Sequence, residues 1–284
     1  VGLISCPICK SDKACETFKD EKSGIDVNVC ENCYMIYQQK DPKVKYYEIQ
    51  CRIQEDFDRH ARAVADYTLE FANPPKDINS VLEIGAHSHL TLSYMKEYFH
   101  NDVKLCGLDL PKIPGSSHSQ IISGIEMIYN NCIDTGHSSD VKDALKSTSF
   151  DFIFCRHTLE HFQNPVRAVW NVRNILSNDG IAFFEVPSFF WTEVNGVHTY
   201  HPEHLLYFTK STISRLFSDA GFKILKIKES KYWGNIKILV KKSKSNEITI
   251  HHKPKNDMKL KRYYNFIQPL FIFIKRNKKI NPNQ

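Results

Sequence analysis

The sequence predicts an α/β fold: a mostly parallel sheet with helices on both faces, preceded by a small cysteine-bearing module. Three observations carry this. Strand-like and helical stretches alternate from residue 78 onward, and such alternation implies parallel strands joined by helical crossovers. The chain has 284 residues, 42% hydrophobic and 25% charged. That suits one α/β domain plus a small module and excludes collagen-like, disordered and multi-span membrane classes. Finally, two Cys-x-x-Cys pairs fall within the first 40 residues.

Residues 1–40 read as one unit. Cys6 and Cys9 are followed, after twenty intervening residues, by Cys30 and Cys33. Each short turn aims two thiolates at one point, and two such turns complete a tetrahedral zinc site. A unit this small buries little core, so the metal supplies much of its folding energy. With all four ligands from the protein, the site is structural. The alternative is four free thiols. The total of nine cysteines is odd, which argues against a disulfide framework and for a reducing, cytoplasmic setting.

Residues 41–77 read as a helical linker. Phe57, Ala61, Val64, Thr68 and Phe71 recur at steps of four and three, which is helical spacing. Asn73-Pro74-Pro75 stops the helix. Strands are expected at 80–84, 104–109, 125–129, 151–155, 181–186, 222–228 and 236–240, within a domain spanning 78–242. Residues 243–284 form the tail. Residues 241–284 hold 12 Lys/Arg against 2 Asp/Glu, leaving 26 and 30 for the rest. The body is therefore slightly acidic and the tail strongly basic.

The first strand of the domain ends in Val81-Leu82-Glu83-Ile84-Gly85. An acidic residue two before a glycine, at a strand-to-helix turn, opens a nucleotide-type cofactor loop. The glycine lets backbone approach ligand. Gly107-Leu108-Asp109 ends the next strand, at the separation of a ribose-binding carboxylate. A helix cap is the ordinary alternative for Asp109. The fourth strand runs into Arg156-His157-Thr158-Leu159-Glu160-His161.

With these segments in this order, residues 78–240 resemble the class I S-adenosylmethionine (SAM)-dependent methyltransferases. The matching pieces are VLEIG, GLD, SFDFIFCRHTLEHFQNP, NILSNDGIAFFEVPS and AGFKILKI. The resemblance implies a Rossmann-like, seven-stranded sheet. It implies SAM held by Glu83, Gly85, His87, Asp109 and Leu110, with the Cys132 backbone, Arg156 and His157 alongside. One departure stands out. The family loop carries further glycines where this chain has His87 and His89. A metal site at these two histidines finds no third ligand nearby.

A four-cysteine zinc module ahead of a SAM domain is similar to the sugar C-methyltransferases, which carry a Tyr-His-Glu-His type segment after the fifth strand. This chain has Tyr200-His201-Pro202-Glu203-His204, with Pro202 inserted. That group's large C-terminal Rossmann-like domain has no counterpart in these 284 residues. Methyl transfer from a sulfonium needs alignment of the acceptor and removal of its proton. Histidine suits the base, since its pKa lies near neutrality. His204 is the first candidate base, assisted by Glu203 and Tyr200; His161 is the second. A strand-to-helix connection bearing solvated histidines is the ordinary alternative for this segment.

The leading expectation is methyl transfer to a nucleotide-linked or lipid-linked sugar of a surface glycan, on carbon or oxygen. RNA methylation is the second, though residues 1–40 are not basic: Lys10, Lys13, Lys19, Lys22 and Lys40 face Asp12, Glu16, Asp20, Glu21, Asp26 and Glu31. A non-catalytic binding module, with the altered loop as a dead cofactor site, is the third. For the tail, residues 259–279 flank an aromatic-aliphatic run with cations. Three readings stand: lying on the inner face of an anionic membrane, docking on protein, or disorder. Cys106, Cys132 and Cys155 are expected to be buried small hydrophobes.

Overall fold

The computed structural model describes residues 5–12, 14–19, 24–38, 54–99, 102–111, 118–130, 132–146, 149–189, 203–230 and 234–244. Tyr200, residues 190–202 and the basic tail, with 259–279, lie outside the described residues.

Three strands open the chain: β1 (Ala14–Lys19), β2 (Asp26–Cys30) and β3 (Ile36–Gln38). Helix α1 (Gln54–Ala72) follows, then β4 (Ser80–Ile84), α2 (Leu90–Lys96), β5 (Lys104–Asp109), β6 (His118–Ile122) and β7 (Ile125–Tyr129). Next come α3 (Cys132–Thr135), α4 (Ser138–Leu145), β8 (Phe150–Arg156), a 3₁₀ turn (Leu159–His161), α5 (Pro165–Ile175) and β9 (Leu176–Pro187). The described order closes with β10 (Leu206–Tyr207), α6 (Lys210–Asp219), β11 (Phe222–Glu229) and β12 (Asn235–Lys242).

The large sheet has the order β11-β12-β9-β8-β4-β5-β7-β6. Its centre, from β9 to β7, is parallel, while β12, β11 and β6 are antiparallel additions. The seven expected strands are all present. The eighth, β6, is the partner of β7 in a hairpin. Ser123 (φ 53°) and Gly124 (φ 79°) form its two-residue turn, the left-handed pair a tight hairpin requires.

Alternation along the central strands sorts side chains to two faces. Val81, Leu105, Met127, Phe152, Phe154 and Phe183 pack under α1 and α2 with Ala65, Leu69 and Leu92. Leu82, Ile84, Leu108, Ile153, Cys155 and Phe184 pack on the opposite face against α4, α5 and α6. Helix α1 thus covers the sheet rather than merely linking two parts, because its buried stripe (Ala61, Val64, Ala65, Thr68 and Leu69) needs an apolar partner. Helix starts follow local chemistry. Asn164 caps α5 by accepting from Arg167 N at 3.2 Å, with Pro165 at the first helical position. Thr209 caps α6 through the Thr212 N–H at 3.2 Å.

The N-terminal strands form a separate sheet of order β1-β2-β3-β10. Its last strand comes from residues 206–207. Residues Val1–Ile250 form one compact unit, within which Cys6, Cys30, Cys33, Met35 and Tyr37 share a core with Ile84 and Phe184. Three short strands bury too little surface alone, and the body supplies the rest. No helix among the described residues is long and apolar enough to cross a membrane.

Candidate active site and metal clusters

Glu83 and Asp109 end β4 and β5 on the α1/α2 face, at the carboxyl edge where ligands bind in open parallel sheets. Glu83 is 6% exposed, and among the described residues its Oε2 has no hydrogen-bond partner. Burial, with a smaller contribution from the nearby Asp109 charge, pushes its pKa well above the carboxylate range. Asp109 accepts the Leu110 N–H at 2.7 Å. Burial raises its pKa too, against the opposing pull of His87.

Between them runs the loop 85–89. Gly85 takes φ +75°, and a Cβ there would lie 2.0 Å from Thr158 Oγ1. Only glycine fits. Its N–H donates to Leu108 O at 2.8 Å. His87 takes φ +44°, the left-handed region where glycine is the ordinary residue. Its Nδ1 stands 3.9 Å from Asp109 Oδ2. At Gly107 a Cβ would meet Met127 Sδ at 2.5 Å, so a larger residue there would displace the end of that methionine. Asp109 with Leu110 suits ribose hydroxyls, and the partnerless Glu83 oxygen suits a donor or cation from a ligand. These residues fit SAM.

Arg156 and His157 face differently. The Arg156 Nε donates to Glu185 Oε2 at 2.9 Å, and its guanidinium lies over the Tyr67 ring at 4.8 Å. Tyr67 and Asn235 complete the ring of donors around Glu185, at 2.9 and 2.8 Å. Arg156 is therefore spent on a buried ion pair. His157 (φ +47°) turns its Nδ1 to within 3.6 Å of Glu160 Oε1. Cys132 opens the short α3; its side chain lies outside the described residues. Cys106 and Cys155 are buried as expected, and burial raises both thiol pKa values, that of Cys106 to about 12.

Two steps beyond Thr158, the 3₁₀ turn brings three groups together. Glu160 is 1% exposed. His204 Nε2 lies 4.0 Å from its Oε1. The His161 and His204 rings meet edge to face, 4.9 Å between centroids. His161 Nδ1 is 2.9 Å from the Glu203 carbonyl oxygen, and Leu205 N–H donates to Glu160 O at 2.9 Å. Burial opposes ionisation of Glu160, but His157, His161 and His204 outweigh it and hold its pKa at about 2. Both candidate bases are thus in one place. The described contact of Glu203 is its main chain, on His161 rather than His204. The carboxylate that faces His204 is Glu160. The only signal for Glu160 was its place in the 156–161 run; its burial and its distant partner were not readable.

The four cysteines form a second cluster, with all four Sγ atoms within 4.8 Å of one another. Cys6 and Cys33 lie 3.5 Å apart, Cys9 and Cys30 3.4 Å. The two turns repeat one design. Lys10 N–H donates to Cys6 O at 2.9 Å, and Tyr34 N–H to Cys30 O at 3.0 Å. Lys10 (φ 60°) and Tyr34 (φ 57°) occupy the same left-handed position. Hydrogen bonds from Cys33 and Cys6 draw the Cys30 thiol pKa down, while bonding to Cys30 pushes those of Cys6 and Cys33 up. Four crowded sulfurs matching a tetrahedral set fit a zinc ion.

A family model described as a methyltransferase domain matches residues 57–227. The chain belongs to this methyltransferase family. Among solved structures, it is similar to a chain from the complex of the Haloferax volcanii Trm112 methyltransferase activator with a methyltransferase. The identity is 10% and the TM-score 0.54, covering 70% of this chain and 98% of that one. It is also similar to an O-methyltransferase family protein from Burkholderia thailandensis, with 9% identity and a TM-score of 0.50, covering 70% and 62%. A third is human N-acetylserotonin methyltransferase in complex with SAM, with 12% identity and a TM-score of 0.49, covering 70% and 56%. At these identities the first two likenesses show the fold alone. No curated protein matches the chain. The domain is a SAM-dependent methyltransferase. When bound, SAM supplies a methyl group on an electrophilic sulfonium.

Proposed function

We propose that this methyltransferase acts on a sugar, nucleotide-linked or lipid-linked, in surface glycan assembly, with the histidine pair His204 and His161 taking up the acceptor's proton and the four cysteines holding a structural zinc. One observation carries the reading: His161 and His204, distant in sequence, meet over the buried Glu160. Thr158 separates this group from the Gly85 loop. A proton acceptor on the turn that follows Thr158 is what a displacement at methyl needs near the cofactor loop. The described part of the N-terminal module carries Lys10 and Lys19 against Asp12, Glu16, Asp26 and Glu31, a balance that suits a neutral or sugar ligand better than a nucleic-acid backbone.

The test is calorimetric titration of the zinc-loaded protein with SAM and its demethylated product, followed by a screen of nucleotide sugars. Binding should fall by about 100-fold or more in Asp109→Ala, since a charge-assisted pair of hydroxyl contacts is lost. Methyl transfer to RNA with steep salt dependence, and none to sugars, would overturn the acceptor class. No SAM binding by the folded protein would overturn the whole reading.

A further inference from the structure

We propose that Glu160, His161 and His204 bind a divalent first-row transition-metal cation, distinct from the ion of the cysteine cluster and placed on the acceptor side of the site. The proposal rests on the reading that this trio faces the acceptor.

Three features point to it. First, each residue offers one ligand atom, and these atoms lie within 4.8 Å of one another. Ligands bound at about 2.0–2.2 Å stand somewhat over 3 Å apart around one ion, so a shift of about an ångström closes the set. Second, the Glu160 carboxylate is buried, and among the described residues neither oxygen has a hydrogen-bond partner. Imidazoles face it, with His157 Nδ1 at 3.6 Å and His204 Nε2 at 4.0 Å. A buried carboxylate surrounded by imidazoles at this spacing offers its lone pairs to a shared cation. Third, His161 Nδ1 faces the Glu203 carbonyl at 2.9 Å. A carbonyl only accepts, so Nδ1 carries the proton and Nε2 the lone pair. Metal-binding histidines are oriented in this way. The main-chain bond from Leu205 to Glu160 holds the two halves of the set together.

Two imidazoles and one carboxylate suit zinc, iron or manganese rather than the all-oxygen preference of magnesium or calcium. Three protein ligands leave positions open for the acceptor. A hydroxyl bound there loses its proton to solvent more readily. Its oxygen then forms the new C–O bond as the methyl–sulfur bond breaks and that electron pair returns to sulfur. The histidines act here as ligands, so the cation and solvent take over from them the removal of the acceptor's proton.

The experiment is titration of the full metal-free chain with Co²⁺. Two equivalents should bind. One should give the thiolate-to-cobalt charge-transfer band of the cysteine cluster, the other only weak d–d absorption. Glu160→Gln and His204→Ala should each lose the second equivalent and keep the charge-transfer band. Retention of that band also reports an intact N-terminal sheet, so a variant that fails to fold is recognised and the other decides. A single equivalent in the unaltered protein, or two in both variants, overturns the proposal. SAM titration of the same samples separates the two readings. SAM binding with one cobalt leaves the methyltransferase assignment and removes the second cation. Two cobalts without SAM binding do the reverse.

Discussion

The cysteine cluster and the Glu160 cluster are built in opposite ways. Each cysteine pair sits in its own turn, with the same main-chain bond and the same left-handed residue in both. Its geometry is local and repeats. The second cluster joins a 3₁₀ turn at 159–161 to His204, with the His161–Glu203 contact spanning 42 residues. Its geometry exists only after the sheet has formed. A local cluster can drive folding by capturing a metal; an assembled one depends on folding already done.

The strongest way to break this comparison is at the local cluster. Cys33→Ala should abolish metal retention and unfold residues 26–38, because structural zinc sites contribute on the order of 10 kcal/mol of binding energy. Hydrogen exchange should show the loss spreading to 205–207 through β10, while the central strands stay protected. If residues 205–207 keep their protection, the N-terminal sheet does not hold the His204 segment.

A smaller effect is expected at the assembled cluster. Glu160→Gln should lower methyl transfer by about 100-fold, the range of a lost acid–base or orienting group, with the metal of the cysteine cluster retained. Wild-type rates with this variant would reduce Glu160 to packing.

Acid titration sharpens the same contrast. Glu160 has its pKa lowered to about 2 from 4.5. Its contribution to stability is therefore complete above pH 4.5 and lost as pH falls from there toward 2. Urea midpoints of the wild type should decline across that window, and those of Glu160→Gln should decline less. Equal slopes would remove Glu160 from the account of acid unfolding.

The smallest effect is expected at the seam between the clusters. Gln38 Nε2 donates to Tyr207 Oη at 2.5 Å. Gln38→Leu should cost about 1 kcal/mol, the net worth of one hydrogen bond, read as a modest drop in Tm with SAM affinity unaltered.

Legibility followed locality. The strand 80–84 and the cysteine spacing were readable because apolar runs and close pairs are short-range patterns. β6 was not, because His118-Ser119-Gln120-Ile121 is exposed and shows no buried alternation; only the Ser123-Gly124 turn marked it. β10 has two residues, too few for any periodicity. His161 and His204 were nameable as residue types suited to proton transfer. Their meeting, and Glu160 beneath them, came from burial and chain crossing. Arg156 was placed with the cofactor by its position after β8, yet strand pairing sets it opposite Glu185, and that pairing is invisible in a linear pattern.

The β3–β10 pairing has a consequence for the newborn chain. Gln38 and Tyr207 are 169 residues apart, which at about 5–20 residues per second is on the order of ten to thirty seconds of synthesis. Throughout that interval the cysteine turns are available to a metal while the edge of β3 waits for its partner. Once residues 204–207 are made, they can close the first sheet and bring His204 to Glu160 in the same movement. Completion of the N-terminal sheet and assembly of the Glu160 cluster are then one late event.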